Sequence, residues 1–224
     1  MKKSFLRILG VMALMSLMSC EIERYNTGDG DYSYMRADFA MVTTGEAKSL
    51  RYALTDEAES LTFSPPLDCS WATTPDSTYR ALVYYNRKKE DLPTVKGISA
   101  AHVMTLKLIK KKTDDMKMDP LTVESAWISA NGKFLNLGLY VKTGKDGDSG
   151  KSQILGMVRD TIVALDNGSC EHQWLLFHHQ NGVAENYSTR LYTSVALDSV
   201  GHGDRVSITA HTYEGMKTLV LQVP

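Results

Sequence analysis

From Phe134 to Thr143 the chain alternates without a break, with Leu135, Leu137, Leu139 and Val141 on one parity. A period of two sends those four aliphatic side chains to one face of an extended strand, and no helix gathers them on one side. Shorter runs of the same kind recur along the chain. They are cut by Asn131-Gly132, Asp146-Gly147, Asn167-Gly168, Asn181-Gly182 and Glu214-Gly215, dipeptides that supply the positive φ of tight hairpins. No helix-period segment survives outside the N-terminal leader, so the chain is read as all-β.

In the first half, Asp38 to Thr44 is β-prone. Ser49 to Asp56 carries Leu50, Tyr52 and Leu54 on one parity, and Leu61 to Ser64 ends at Pro65-Pro66. Thr78 to Arg87 sets Tyr79, Ala81, Val83 and Tyr85 against Arg80, Leu82, Tyr84 and Asn86. Ala101 to Lys111 sets Val103, Thr105, Lys107 and Ile109 against Met104, Leu106 and Leu108. Five strands in roughly eighty residues suit a small closed barrel, because closure removes exposed edges. Lys112 to Pro120 is polar and proline-ended, as interdomain segments are. Beyond it, Val123–Ser129, Phe134–Thr143, Gln153–Leu165, His172–His179, Arg190–Leu197, Arg205–Tyr213 and Met216–Val223 read as seven strands of an antiparallel β-sandwich.

The N-terminus reads Met1-Lys2-Lys3, then an apolar run from Phe5 to Met18, then Ser19-Cys20. A basic start, a short apolar segment and a small residue at the boundary describe a secretory signal peptide. The run is too short for a spanning helix, which needs about 20 apolar residues. The ending Leu17-Met18-Ser19-Cys20 resembles a bacterial lipobox, in which the thiol of Cys20 is acylated and becomes the new N-terminus. Several acyl chains hold a soluble domain firmly, at about 0.8 kcal/mol per buried methylene. Glu21 and Glu23 follow, with no Asp directly after the cysteine, and loosely resemble a surface-export signal; periplasm-facing and cell-surface placement on the outer membrane both stay open. Glu21 to Asp31 is glycine-rich and acidic, a flexible tether. The expected organisation is signal peptide 1–19, lipidated tether 20–34, barrel 35–112, linker 113–120 and sandwich 121–224.

Formal net charge is -1, with both signs mixed, which argues against a nucleic-acid partner. Cys69 and Cys170 remain once Cys20 is acylated. In an oxidising compartment they are candidates for one disulfide, the alternative being two separate buried thiols. His172, His178, His179 and His211 have no spacing that forces convergence on a metal, so they are expected at the surface or at strand edges. Cys170-Glu171-His172 lacks a strained nucleophile turn and a third orienting group, and Gly144–Gly150 reads as a solvated hairpin tip rather than a phosphate loop. Lys107, Lys110, Lys111 and Lys112 form a basic end to the fifth barrel strand, with Lys88 and Lys89 nearby in sequence, and read as edge protection. Trp71, Trp127 and Trp174 with Tyr84, Tyr85 and Tyr140 are read mainly as core, with a sugar-stacking platform as the functional alternative. No catalytic residue, cofactor site or metal site is expected.

Taken together, the lipobox, the tether, Asp31-Tyr32-Ser33-Tyr34 leading into Asp38-Phe39-Ala40-Met41-Val42-Thr43, and Trp127-Ile128 followed by Phe134-Leu135-Asn136-Leu137 resemble the NigD-like lipoproteins of Bacteroidetes. The resemblance implies an N-terminal OB-type barrel, a C-terminal β-sandwich and a tie to bacteriocin immunity. It carries over no catalytic residue. The functional expectation is a non-enzymatic outer-membrane lipoprotein that binds a protein partner, with a glycan-binding accessory as the alternative.

Overall fold

The computed structural model describes residues 33–87, 92–110, 112–113, 116–144 and 150–224. The leader, Cys20, most of the tether, Lys88, Lys89, Lys111 and the Asp146-Gly147 turn lie outside the described residues. Met35–Pro224 forms one compact unit. The chain is all-β: among the described residues there are strands and no helix.

The first five strands close into a barrel. They are β1 (Met35–Thr44), β2 (Leu50–Thr55), β3 (Ser60–Leu67), β4 (Thr78–Asn86) and β5 (Thr94–His102), in the order β1-β2-β3-β5-β4, with β4 returning to β1. Every pairing is antiparallel except β3 with β5. Alternation explains the interior. Ala40 and Val42 of β1, and Ala81, Val83 and Tyr85 of β4, point inward and meet Leu50, Ala53, Leu61, Phe63 and Val95. The alanines are directly paired, Ala40 opposite Ala81, and leave room for the Phe63 and Tyr85 rings in a narrow barrel.

Two expectations are corrected. The fifth barrel strand is Thr94–His102, not Ala101–Lys111. Its sequence, Thr-Val-Lys-Gly-Ile-Ser-Ala-Ala-His, has little bulky alternation. Gly97 sits where an added Cβ would meet Phe63 and Leu67 at 3.1 and 3.2 Å, so close packing against β3 favours a residue with no side chain. Within Ala101–Lys111, β6 (Met104–Thr105) and β7 (Leu108–Ile109) pair instead with the sandwich sheets. Lys107 and Lys110 therefore sit exposed on that crossing segment rather than on the barrel. Second, β3 continues through Pro65-Pro66, which lie exposed where its register with β2 is irregular and no ladder donor is required.

The remaining strands form two sheets: β6-β12-β9-β8, with β8 (Thr122–Ile128), β9 (Phe134–Thr143) and β12 (Tyr187–Ala196), and β14-β13-β11-β10-β7, with β10 (Ile154–Ala164), β11 (Cys170–His179), β13 (Arg205–Thr212) and β14 (Gly215–Gln222). Leu135, Leu137, Leu139 and Val141 of β9 meet Met157, Trp174, Leu176, Val206 and Ile208 in one buried cluster. Each such side chain contributes about 1.5–3 kcal/mol by leaving water. The sheets are mixed rather than purely antiparallel, because β11 and β13 run parallel. Between them the chain builds β12 in the other sheet, so it crosses the sandwich twice and re-enters in its original direction. At Asn181-Gly182 both residues have positive φ, 52° and 69°, and Val183 N–H donates to Gln180 O at 3.0 Å; this tight turn starts the crossover from β11 to β12 in the other sheet rather than closing a hairpin.

Candidate functional site

Arg80 sits on β4 beside Ala81, on the outward parity of the barrel wall. On an isolated barrel it would be solvated. Here it is only 3 % exposed, because its guanidinium is engaged by residues of β9 and β12. The two terminal nitrogens donate to the two Asp56 oxygens at 2.7 Å each. Nη2 also donates to Asn136 Oδ1 at 2.9 Å, and Nε donates to Ser194 Oγ at 3.1 Å. The Ser194 hydroxyl donates to Asn136 Oδ1 at 2.7 Å, and Asn136 Nδ2 donates to Asp56 Oδ2 at 2.8 Å. The guanidinium carbon lies 4.1 Å from the Phe134 ring centroid. A bidentate arginine–carboxylate pair with its remaining groups satisfied is the arrangement in which a buried charge is tolerated. Backbone bonds run beside it: Asn131 N–H to Asp56 O at 3.0 Å, Val103 N–H to Arg80 O at 2.9 Å, and Leu106 N–H to Ser194 O at 2.8 Å. Barrel and sandwich are thus stitched along a seam.

Asp56 also faces a groove of about 580 Å³ along that seam. The barrel lines it with Asp38, Phe39, Glu57, Leu82 and Tyr84, and the sandwich with Ser125, Trp127, Ser129 and Tyr192. Phe39 takes the outward parity of β1 and packs edge-on against Trp127 at 5.2 Å and Tyr192 at 5.4 Å between centroids. Its ring fixes the other two. Asp38 accepts Arg36 Nε at 3.0 Å and the Tyr85 hydroxyl at 2.6 Å, and Glu57 accepts Arg36 Nη2. Burial, reinforced by the Asp38 bond, pushes the Tyr85 hydroxyl pKa well above its ordinary value, so Tyr85 remains a neutral donor.

The other sequence candidates fall in different places. Of the six aromatics, Trp174 and Tyr85 are core and Trp71 packs on the barrel cluster, while Trp127 and Tyr84 line the groove. Tyr140 donates to Glu124 at 3.4 Å. The histidine expectation is corrected: His172 and His178 are buried, since they share the inward parity of Trp174 and Leu176. His172 Nε2 lies 3.0 Å from Asp204 Oδ2, and His178 meets Asp119 O at 3.2 Å and Gln153 Oε1 at 2.9 Å. Burial lowers the His178 pKa. His211 bonds Met118 O. Among the described residues no three His, Cys, Asp or Glu side chains converge as metal ligands. Cys69 and Cys170 are free thiols, Cys69 against the barrel cluster and Cys170 at the start of β11. Polar Asp119, expected in the linker, is bonded to β11 and the residue after it: its N–H donates to His178 O at 2.8 Å, and its Oδ2 accepts Gln180 N–H at 2.7 Å. Alternation gave no sign of Arg80, Asp56, Asn136, Ser194, Phe39 or Tyr192 as a group; the Trp127 and Tyr84 aromatics were the only signal.

A second surface lies on β14 and its neighbour. Register places Met216, Thr218 and Val220 of β14 opposite His211, Thr209 and Ser207 of β13, and the row continues to Gln173 of β11 and Thr161 of β10. Met216 is 60 % and Val220 55 % exposed. Thr209 and Thr218 hydroxyls are 2.9 Å apart. β14 ends its sheet and has no strand partner on its outer edge among the described residues.

No protein-family model and no curated protein matches the chain. Solved structures do. A NigD-like immunity protein from Bacteroides caccae is 24% identical, covers 83% of this chain and 90% of its own, and superposes with a TM-score of 0.59. A provisionally named toxin-related protein from Parabacteroides distasonis is 16% identical over 84% and 92%, TM-score 0.62. A provisionally named lipoprotein from Bacteroides fragilis is 10% identical over 85% and 98%, TM-score 0.58. At these identities the likeness is one of fold, and the resemblance to NigD-like proteins read from the sequence extends to it.

Proposed function

We propose that this chain is an envelope-tethered lipoprotein, anchored through acylated Cys20, that acts by binding a protein partner rather than by catalysis. The leader and its Leu-Met-Ser-Cys ending support the anchor, and a solved structure of the same fold is provisionally named a lipoprotein. Outer-membrane placement, periplasm-facing or outward, belongs to this reading. Another structure of the fold is named an immunity protein, which supports a partner that is itself a protein. Against catalysis stands the state of the groove: Asp38, Asp56 and Glu57 are each held by an arginine, so no free acid–base pair faces it.

The observation that carries the reading is the open face and edge of β14. Neighbouring exposed apolar side chains suit a protein partner, and an unpaired strand edge offers backbone groups that another strand satisfies. The anchor would hold this surface at high local concentration, so that occupancy occludes the partner. A photo-crosslinking residue placed at Val220 in the producing cells should trap one discrete protein, and the same residue at Glu46 should not. Adding Thr218→Pro, which spoils the edge, should abolish the product. Equal trapping from both positions, or trapping that survives Thr218→Pro, would overturn the reading.

A further inference from the structure

We infer that the seam groove is a binding site for a short neutral saccharide, a second ligand distinct from the protein partner. Three observations converge on that chemistry. The first is shape. A concavity of about 580 Å³ falls within the ~300–1,000 Å³ of small-ligand pockets.

The second is charge. Three carboxylates in the groove wall stand against two arginines, and the pairing is internal. Asp56 has both oxygens on Arg80. Asp38 is held by Arg36 and Tyr85, and Glu57 by Arg36 at the rim. An anion finds no free cation there, and a cation finds no free carboxylate pair. The groove is therefore poorly suited to a charged ligand.

The third is the set of polar groups still available. The Tyr84, Tyr192 and Ser125 hydroxyls and the Trp127 indole N–H line or border the groove, and none has a hydrogen-bond partner within the described residues. All four are neutral, and the three hydroxyls both donate and accept. They accompany aromatic rings held edge-on by Phe39. A sugar ring presents the matching pattern: an apolar C–H face for stacking and a rim of hydroxyls that donate and accept.

The inference uses different residues from the β14 face and stands or falls separately from the protein-partner reading. The test applies the mature chain to an array of short neutral gluco-, manno-, xylo- and galacto-oligosaccharides, beside sulfated and uronate counterparts and oligolysine, followed by calorimetric titration of the hit. The expected result is binding of a neutral oligosaccharide with little salt dependence. Trp127→Ala should weaken it more than about tenfold, and Tyr84→Phe and Tyr192→Phe about fivefold each. The phenylalanine variants keep the rings in place and so guard against misfolding of the alanine variant. The inference is overturned if no neutral glycan binds, if sulfated glycan or oligolysine binds in preference, or if the hit binds both phenylalanine variants as well as the parent.

Discussion

Arg80 on β4 and Thr218 on β14 begin alike: each is a polar residue on the outward parity of a strand whose other face is core. They end in opposite environments. A second sheet covers Arg80, and its charge is satisfied by Asp56, Asn136 and Ser194. Thr218 stays exposed, bonded to Thr209. Period two assigns a side chain to a face, while only the long-range assembly decides whether that face meets water. The contrast also sets the energies at stake: several kcal/mol for a buried ion pair left half-broken, tenths for a surface pair.

The largest expected effect breaks the covered side. Arg80→Ala leaves the Asp56 carboxylate and Asn136 without their donor, and should cost about 3–5 kcal/mol in urea unfolding; a loss below about 1 kcal/mol would mean that water already reaches the network. Phe39→Ala removes the ring that orients Trp127 and Tyr192, and should cost about 1–2 kcal/mol because Phe39 is only part-buried. Its tryptophan emission should shift to the red; unchanged emission would show that Phe39 does not shield Trp127.

A titration sharpens the contrast within the sandwich. Burial holds the His178 pKa below its ordinary 6.5, so the unfolded chain takes up a proton first as pH falls below that value. Stability is complete above it and declines as pH drops toward the folded pKa. Asp204, lowered by the Cys170 N–H and then by His172, extends the decline further into acid. His178→Gln should flatten the upper part of this decline, read as the urea midpoint against pH; an unchanged slope would assign it elsewhere. The smallest effect belongs to the open face. Thr218→Val should change stability by no more than about 0.5 kcal/mol, and a loss comparable to Phe39→Ala would mean that the face is not open.

Much of the fold was legible because burial on one face leaves an alternating trace. The Leu135–Val141 stripe is the sandwich core as read; the alternation of Thr78–Arg87 was read too, but only the structure assigns its Ala81, Val83, Tyr85 parity to the barrel interior. Thr94–His102 was not legible, since small residues and Gly97 leave no alternation where packing demands little volume. The parallel β11–β13 pair depends on β12 crossing to the other sheet, which no local pattern records. The groove was legible only as a scatter of aromatics. Asp56, Asn136 and Ser194 stand 24, 56 and 114 positions from Arg80, too far apart for any spacing rule to join them.

The Arg80 seam is expected to make the barrel and the sandwich one folding unit and so to preserve the groove between them. Trp71 reports from the barrel and Trp174 from the sandwich core. Urea unfolding followed in two variants, one keeping only Trp71 and the other only Trp174 of the three tryptophans, gives each region its own transition after correction for the substitutions. Coincident midpoints that separate on adding Arg80→Ala are the predicted result; midpoints already separate with Arg80 intact would contradict it.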